Sequence, residues 1–478
     1  MRGGAPRLGD VTDRLKSGRA ALLSAGAAVV LVGAAIIVPR VTGEDVMVSW
    51  PPLHADWDPR IGLLTIPAVL IGILLVAGLP RLVAASSWRR TLVIAYAGVW
   101  VWTMAVAMTE GPDGLARVFD VVDRPGEYVY DAQRVDAILP MLRTFIDHIP
   151  MDSVDNWRTH VAGHPPGALL FFVLIDRLGI TDPFWIGVVV VSIGSTAIVA
   201  VLQTLKILGS EKLARAALPW IVLAPVAVYM GVNGDAVFTA VAAWGLCLLA
   251  IATRVPRHRV TAGIGAGLLL GFCVYLSYGL VLLGILALAV LWIGRSWRAL
   301  PWALGGALAV VAVFTALGFA WWEAYPVLRE RYYDGIASDR AYGYWVWADI
   351  AAWTFTVGLA VWAAFPRAVA AMRGAFGRRL LPSPRRWEET SDDSVLDDAA
   401  SSPRDRTVLA GLAAAALLTI LAATLSGMSK AEVERIWMPF TIWVVALPLL
   451  LPQRWHRPLL ASQVVVALLV QHLLLTRW

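Results

Sequence analysis

Pro165-Pro166-Gly167-Ala168-Leu169-Leu170-Phe171-Phe172-Val173-Leu174-Ile175-Asp176-Arg177-Leu178 is an apolar run of 14 residues. Crossing a hydrocarbon core of roughly 30 Å takes about 20 apolar residues, so a run this short reads as an interfacial or re-entrant helix. The two prolines at its head suit a first helical turn, where a missing N–H is no loss. Counting the run as a crossing would invert every later loop. It is therefore placed at the outer face.

Outward from it, runs near spanning length occur at 20–39, 61–83, 91–108, 183–204, 215–231, 236–253, 261–276, 279–294, 299–321, 346–364, 406–425, 436–451 and 456–474. The expected fold is an all-α polytopic membrane protein of about 13 transmembrane helices, with an outer-face loop carrying juxtamembrane amphipathic helices. Composition agrees. The 478 residues are 59% hydrophobic and 15% charged, against about 45–50% and 25% in soluble domains, which excludes a soluble enzyme. Cys247 and Cys273 both lie in apolar runs, so neither a disulfide framework nor a thiolate metal site is expected. Several of the 23 tryptophans lie near the ends of runs, as in an interfacial belt.

The net charge of +6 comes from short basic clusters between apolar segments, which excludes a nucleic-acid surface and reports topology instead. The first run follows Arg2, Arg7, Arg14, Lys16 and Arg19 and ends at Val38-Pro39-Arg40 without a small-x-small site, so it reads as an uncleaved anchor. With the N-terminus cytoplasmic, every inside loop is basic: Arg89 and Arg90; Lys206, Lys212 and Arg215; Arg254, Arg257 and Arg259; Arg295 and Arg298; 367–406; Arg454 and Arg457. The organisation is then a basic arm and two additional spans over 1–90 and a membrane module over 91–364 with outer loops 109–182 and 322–345. A disordered cytoplasmic linker over 365–405 and three spans over 406–478 follow.

The outer loop 109–182 holds 12 carboxylates and 6 arginines. It contains Asp123-Arg124-Pro125-Gly126-Glu127-Tyr128-Val129-Tyr130-Asp131, then Val135, Ile138, Leu139, Leu142 and Ile146 at helical spacing, which suggests a helix lying on the membrane. Thr159-His160-Val161-Ala162-Gly163-His164 leads into the short apolar run. The late entry Ser429-Lys430-Ala431-Glu432-Val433-Glu434-Arg435-Ile436-Trp437 is charged and faces outside.

This layout resembles the polytopic GT-C glycosyltransferases, which include the protein O-mannosyltransferases and the lipid A aminoarabinose transferases. The likeness rests on acids just beyond a span, juxtamembrane helices with His164-Pro165-Pro166, Asn233-Gly234-Asp235 at an outer helix end, and Glu434-Arg435-Ile436-Trp437. It covers 91 to about 260 best. The chain departs in its two preceding spans and in having no adjacent Asp-Glu pair after residue 108. The resemblance implies transfer of a sugar, mannose or arabinose, from a polyprenyl-phosphate carrier to a hydroxyl of an envelope glycan, lipid or protein, inverting the anomeric centre. Such chemistry needs one carboxylate as general base and cations on the leaving phosphate.

Asp131 and Glu127, four apart and so on one face if helical, are the expected base, with Asp123 next. The alternative is a solvated acidic loop paired to Arg124 and Arg134. His164 and His160 are candidates for phosphate or acceptor, or His164 simply caps its helix. Arg435 and Lys430 stand where a lipid phosphate would arrive, or Arg435 snorkels. Arg331, Arg340 and Arg329, interleaved with Tyr332, Tyr333, Tyr342 and Tyr344, either bind phosphate and sugar or form an aromatic belt. Tyr128 is a further substrate-binding candidate. Asp235 is a substrate contact or a helix cap. No metal or other cofactor is expected, Asp56-Trp57-Asp58 being too slight a signal. The alternatives are a transporter or flippase, a polysaccharide polymerase, or an envelope scaffold.

Overall fold

A computed structural model describes residues 8–122, 127–231, 233–377 and 402–476. Among the described residues, nine helices are long and apolar enough to cross a membrane: Gly18–Thr42, Thr65–Ala84, Trp88–Glu110, Pro183–Leu208, Asp235–Arg254, Pro256–Leu276, Trp297–Ala316, Tyr342–Arg373 and Pro403–Ser426. Their outer faces are apolar; Leu22, Val30, Leu74 and Leu308 are all mostly exposed. Such a surface suits lipid rather than water. The chain is an all-α, membrane-embedded protein whose main apolar core runs from Ala21 to Leu474, with two smaller clusters around Trp345 and Leu115.

Two stretches that read as spans are broken. Over 215–231, the Glu211–Val222 helix stops before Pro225, and only a single turn, Ala227–Met230, follows. Over 436–451, the chain makes separate turns at Val433–Ile436, Met438–Thr441 and Leu447–Leu450. Pro225, Pro439 and Pro448 lack the N–H a helix needs, and a proline ring clashes with the carbonyl four residues before it. Apolar length alone does not register this. Backbone freed in this way survives in a membrane only inside protein, and both stretches are almost wholly buried.

The breaks interlock with a third. Inside Tyr342–Gly377, Gly358 takes φ 69°, and the side chain of Gln463 occupies the space that a Cβ would need. Gln463 Nε2 donates to the Val357 carbonyl at 2.7 Å. The Val226 N–H donates to the Thr356 carbonyl at 2.9 Å. One broken helix thus supplies the hydrogen bonds that another has lost.

Pro166–Arg177 is a 12-residue helix, or about 18 Å at 1.5 Å per residue. It keeps the short length expected of it. The membrane-surface helix is shorter than its pattern suggested: Ile138–Thr144 is followed by a tight turn at Ile146–His148, with Leu142 buried and Leu139 exposed. Ala55–Trp57 pairs antiparallel with Leu474–Thr476, joining the loop after the first helix to the end of the last.

Both ends of the linker expected over 365–405 are helical. Residues 365–377 continue the preceding helix, and 403–405 open the next, where the Ser402 hydroxyl accepts from the Arg404 and Asp405 N–H groups. A serine before proline is a strong start signal that composition masked. The rest of that linker, 378–401, lies outside the described residues, as does Asp123.

Candidate active site

Three separate stretches of chain meet at Arg435. Its guanidinium donates from Nη1 to Asp235 Oδ2 at 2.7 Å and from Nη2 to Glu432 Oε2 at 2.6 Å. Nη2 also lies 3.1 Å from His160 Nε2. A guanidinium only donates, so this histidine nitrogen accepts, and the neutral ring carries its proton on Nδ1. Burial, reinforced by Arg435, pushes His160 down to about 3. Arg435 is 3% exposed and bonded through both terminal nitrogens to buried groups, rather than snorkelled. Burial weakens its charge, but Glu432, Asp235 and Glu127 outweigh that and hold it firmly protonated.

Local conformation explains why these groups face one another. Ala431 and Glu432 both take positive φ, 67° and 63°, an unusual pair for residues with side chains. The strain is held from outside: Asp349 Oδ1 accepts from the Ala431 N–H at 3.0 Å, and Arg340 donates to the Lys430 carbonyl at 2.8 Å. Asn233 accepts from the Asp235 N–H at 2.9 Å, doing the capping work the sequence left open for Asp235. The Asp235 carboxylate is thereby left to Arg435.

Glu127 completes the group. It has φ 39° and precedes the one-turn helix Val129–Ala132. One helical face shared by Glu127 and Asp131 is therefore not formed, because no helix has begun at Glu127. Its Oε2 accepts from the Gly234 N–H at 3.4 Å. Its other oxygen, Oε1, is buried and has no hydrogen-bond partner among the described residues. Burial pushes this carboxyl up to about 8, with Arg435 opposing and Asp235 adding to the rise. Glu434 is buried with neither carboxyl oxygen bonded to any described group, and burial lifts it to about 8 as well. Glu432 goes the other way. Burial raises it, but Arg435, the His54 hydrogen bond and Arg340 outweigh burial and hold it below the usual carboxylate range.

Tyr128 stacks on Phe172 at 4.9 Å, with the His164 ring edge-on at 5.6 Å. His164 does not cap its helix, which has no side-chain cap. Its Nδ1 donates to the His160 carbonyl at 2.7 Å, and burial lowers its basicity. The tyrosine and both histidines form an apolar wall beside the ionic cluster.

The remaining candidates sit elsewhere. Asp131 Oδ2 accepts from the Arg158 N–H at 3.1 Å; burial raises this carboxyl against that bond and the charges of Arg158 and Arg331. Arg331 donates to the Ile149 carbonyl and, at 2.7 Å, to that of Trp157. Lys430 Nζ reaches the Ala337 carbonyl at 2.8 Å, while Arg340 clamps the 430–432 loop. Tyr332, Tyr342 and Tyr344 bond to the backbone of Lys430, Leu425 and Ala35. Arg329 is exposed. These residues shape the site rather than line it. Sequence reading gave no site role to Glu432, Glu434 or Asn233 and did not single out His54. Glu432 carried a signal, its spacing of three from Arg435, whereas His54 carried none.

Among the described residues, no group of three or more His, Cys, Asp or Glu converges as a metal site would. Compared with family models, with curated proteins and with solved structures, the chain matches none.

Proposed function

We propose that this protein is a membrane glycosyltransferase of GT-C type, moving a sugar from a polyprenyl-phosphate donor to an envelope hydroxyl on the outer face. One observation carries the reading. A buried carboxyl, Glu127, with one oxygen that has no partner among the described residues, stands within electrostatic reach of a buried guanidinium, Arg435, where the acid-rich loop meets the late charged entry. In an inverting displacement the acceptor oxygen attacks the anomeric carbon, the carbon–oxygen bond to phosphate breaks, and the hydroxyl proton passes to Glu127. The leaving phosphate gains negative charge next to Arg435, where low surrounding polarity strengthens the attraction. Mannose and arabinose remain the proposed sugars, and an envelope glycan, lipid or protein the acceptor.

The accompanying topology has 13 crossings, counting the two broken stretches, with a cytoplasmic N-terminus. Contacts between distant segments support it by joining loops read on the same side. Arg215 donates to the Val83 and Ser86 carbonyls, and Arg404 to that of Leu208, all inside. The 55–57 and 474–476 strands pair outside, where Arg435 also meets His160.

A transporter or flippase is the second reading. It is favoured by the interlocking helix breaks and by Asp349 and Glu434, both 1% exposed. One assay separates the two. Purified protein in vesicles is given radiolabelled polyprenyl-phosphate mannose or arabinose and an envelope lipid extract. The proposal expects label on a new acceptor and a loss of about 10²–10⁴-fold in Glu127→Gln. Because the base must be ionised, the rate should climb with pH towards about 8. Label that crosses the vesicle wall still attached to its carrier would replace the transferase with the transporter.

A further inference from the structure

The loop between the first two helices lies before the module that the sequence assigned to catalysis, yet it reaches the ionic cluster. Leu53 and Ala55 are fully buried. Trp50 stacks on Trp57 at 6.3 Å and meets Phe355 edge-on at 6.1 Å, while the strand pair ties 55–57 to the last helix. Anchored on both sides, the loop brings His54 Nδ1 within 3.4 Å of Glu432 Oε1. Arg340 Nη1 approaches the same oxygen at 3.9 Å.

This matters because a carboxylate and a guanidinium prefer to pair through two parallel hydrogen bonds. Glu432 does not do so. Its Oε1 faces His54, so it gives Arg435 only Oε2, and Arg435 keeps Nη1 for Asp235. Without the imidazole, only the longer ion pair with Arg340 restrains that oxygen, and the carboxylate can turn both oxygens to Arg435 and draw the guanidinium off Asp235. We infer that His54 is a positioning residue, holding Glu432 so that Arg435 is aimed into the site, and that the N-terminal pair of helices is part of the functional unit. This rests on the transferase reading for its kinetic consequence but not for the coupling itself.

The test has two arms on the full-length protein. In the first, His54→Phe lowers kcat for polyprenyl-phosphate mannose about tenfold or more, as misplacement of a charge-stabilising group does, while the donor KM changes less than twofold. His54→Asn, whose side-chain amide can donate from about the same place as Nδ1, recovers most of the rate. A Phe variant with the wild-type kcat, or an Asn variant as slow as Phe, overturns the positioning role and leaves the transferase standing. The second arm needs no activity. His54→Phe and Arg435→Lys are combined in a double-mutant cycle on thermal unfolding, with and without Glu432→Gln. The two residues have no direct bond to each other among the contacts described above, so non-additive shifts that vanish in the Glu432→Gln background support relay through that carboxylate. Additive shifts overturn it, even if every sugar donor proves inert and the transferase reading falls separately.

Discussion

Glu127 and Asp131 stand four residues apart in one loop, both buried, yet their neighbours differ. Asp131 accepts a backbone N–H from Arg158 and lies near the guanidiniums of Arg158 and Arg331. Beside it the Tyr130 ring carries Arg134 and Arg158 at 3.2 and 3.3 Å, distances that place one guanidinium on each face. Those groups hold the 150–158 loop in place. Glu127 has one long backbone hydrogen bond and an oxygen with no described partner. Beside Asp131 two guanidiniums and a backbone N–H favour the ionised form, whereas a buried Glu127 oxygen with no partner among the described residues keeps the capacity to take a proton. In physical terms, what tells these acids apart is how deeply each is buried and which charges surround it, not position in sequence.

The largest effect that would test this contrast is expected at Arg435. Arg435→Gln strands Asp235 and Glu432 in a buried setting, and breaking such a pair costs about 3–5 kcal/mol. Chemical denaturation in detergent should show it; a loss under about 1 kcal/mol would mean that water already reaches the cluster. Asp131→Ala comes next. It frees the Arg158 N–H and should cost about 1–3 kcal/mol while leaving the pH dependence of transfer as it was. A collapse of transfer with stability unchanged would exchange the roles given to the two acids.

Taken per pH unit, the smallest effect is a titration. Glu127 and Glu434 are pushed from the ordinary range to about 8, so between those values the folded chain holds protons that the unfolded chain has released. Stability should therefore fall as pH rises, by at most about 1.4 kcal/mol per pH unit for each group. Glu127→Gln should flatten the curve between pH 5 and 8. A variant as steep as the parent would show that Glu127 is ionised at low pH and well hydrated.

Much of the candidate site was visible before folding was considered. His160, His164, Asp235 and Arg435 were named from residue type and loop side, and the fold brings these four into one neighbourhood with Tyr128 and Glu127. Arg331, Arg340 and Lys430 were named on the same grounds, but they bind carbonyl oxygens instead. The difference was not legible because a cation near an interface looks the same in sequence whether it meets a ligand or a backbone. Helix breaks were also hidden, since a proline in an apolar run says that a hydrogen bond is lost but not whether another segment will replace it.

Local and cumulative properties could be read directly from the chain: apolar length, the excess of basic residues in alternate loops, and the brevity of the Pro166–Arg177 helix. Each depends on transfer between lipid and water, which acts on a segment largely regardless of its neighbours. Partner choice was decided only in three dimensions. Which acids kept an oxygen without a partner among the described residues, which arginine was buried among carboxylates, and that His54 reached Glu432 across 378 positions all depend on packing between distant segments. Hydrogen bonds and ion pairs are short-ranged and directional, so no property of a single stretch determines them.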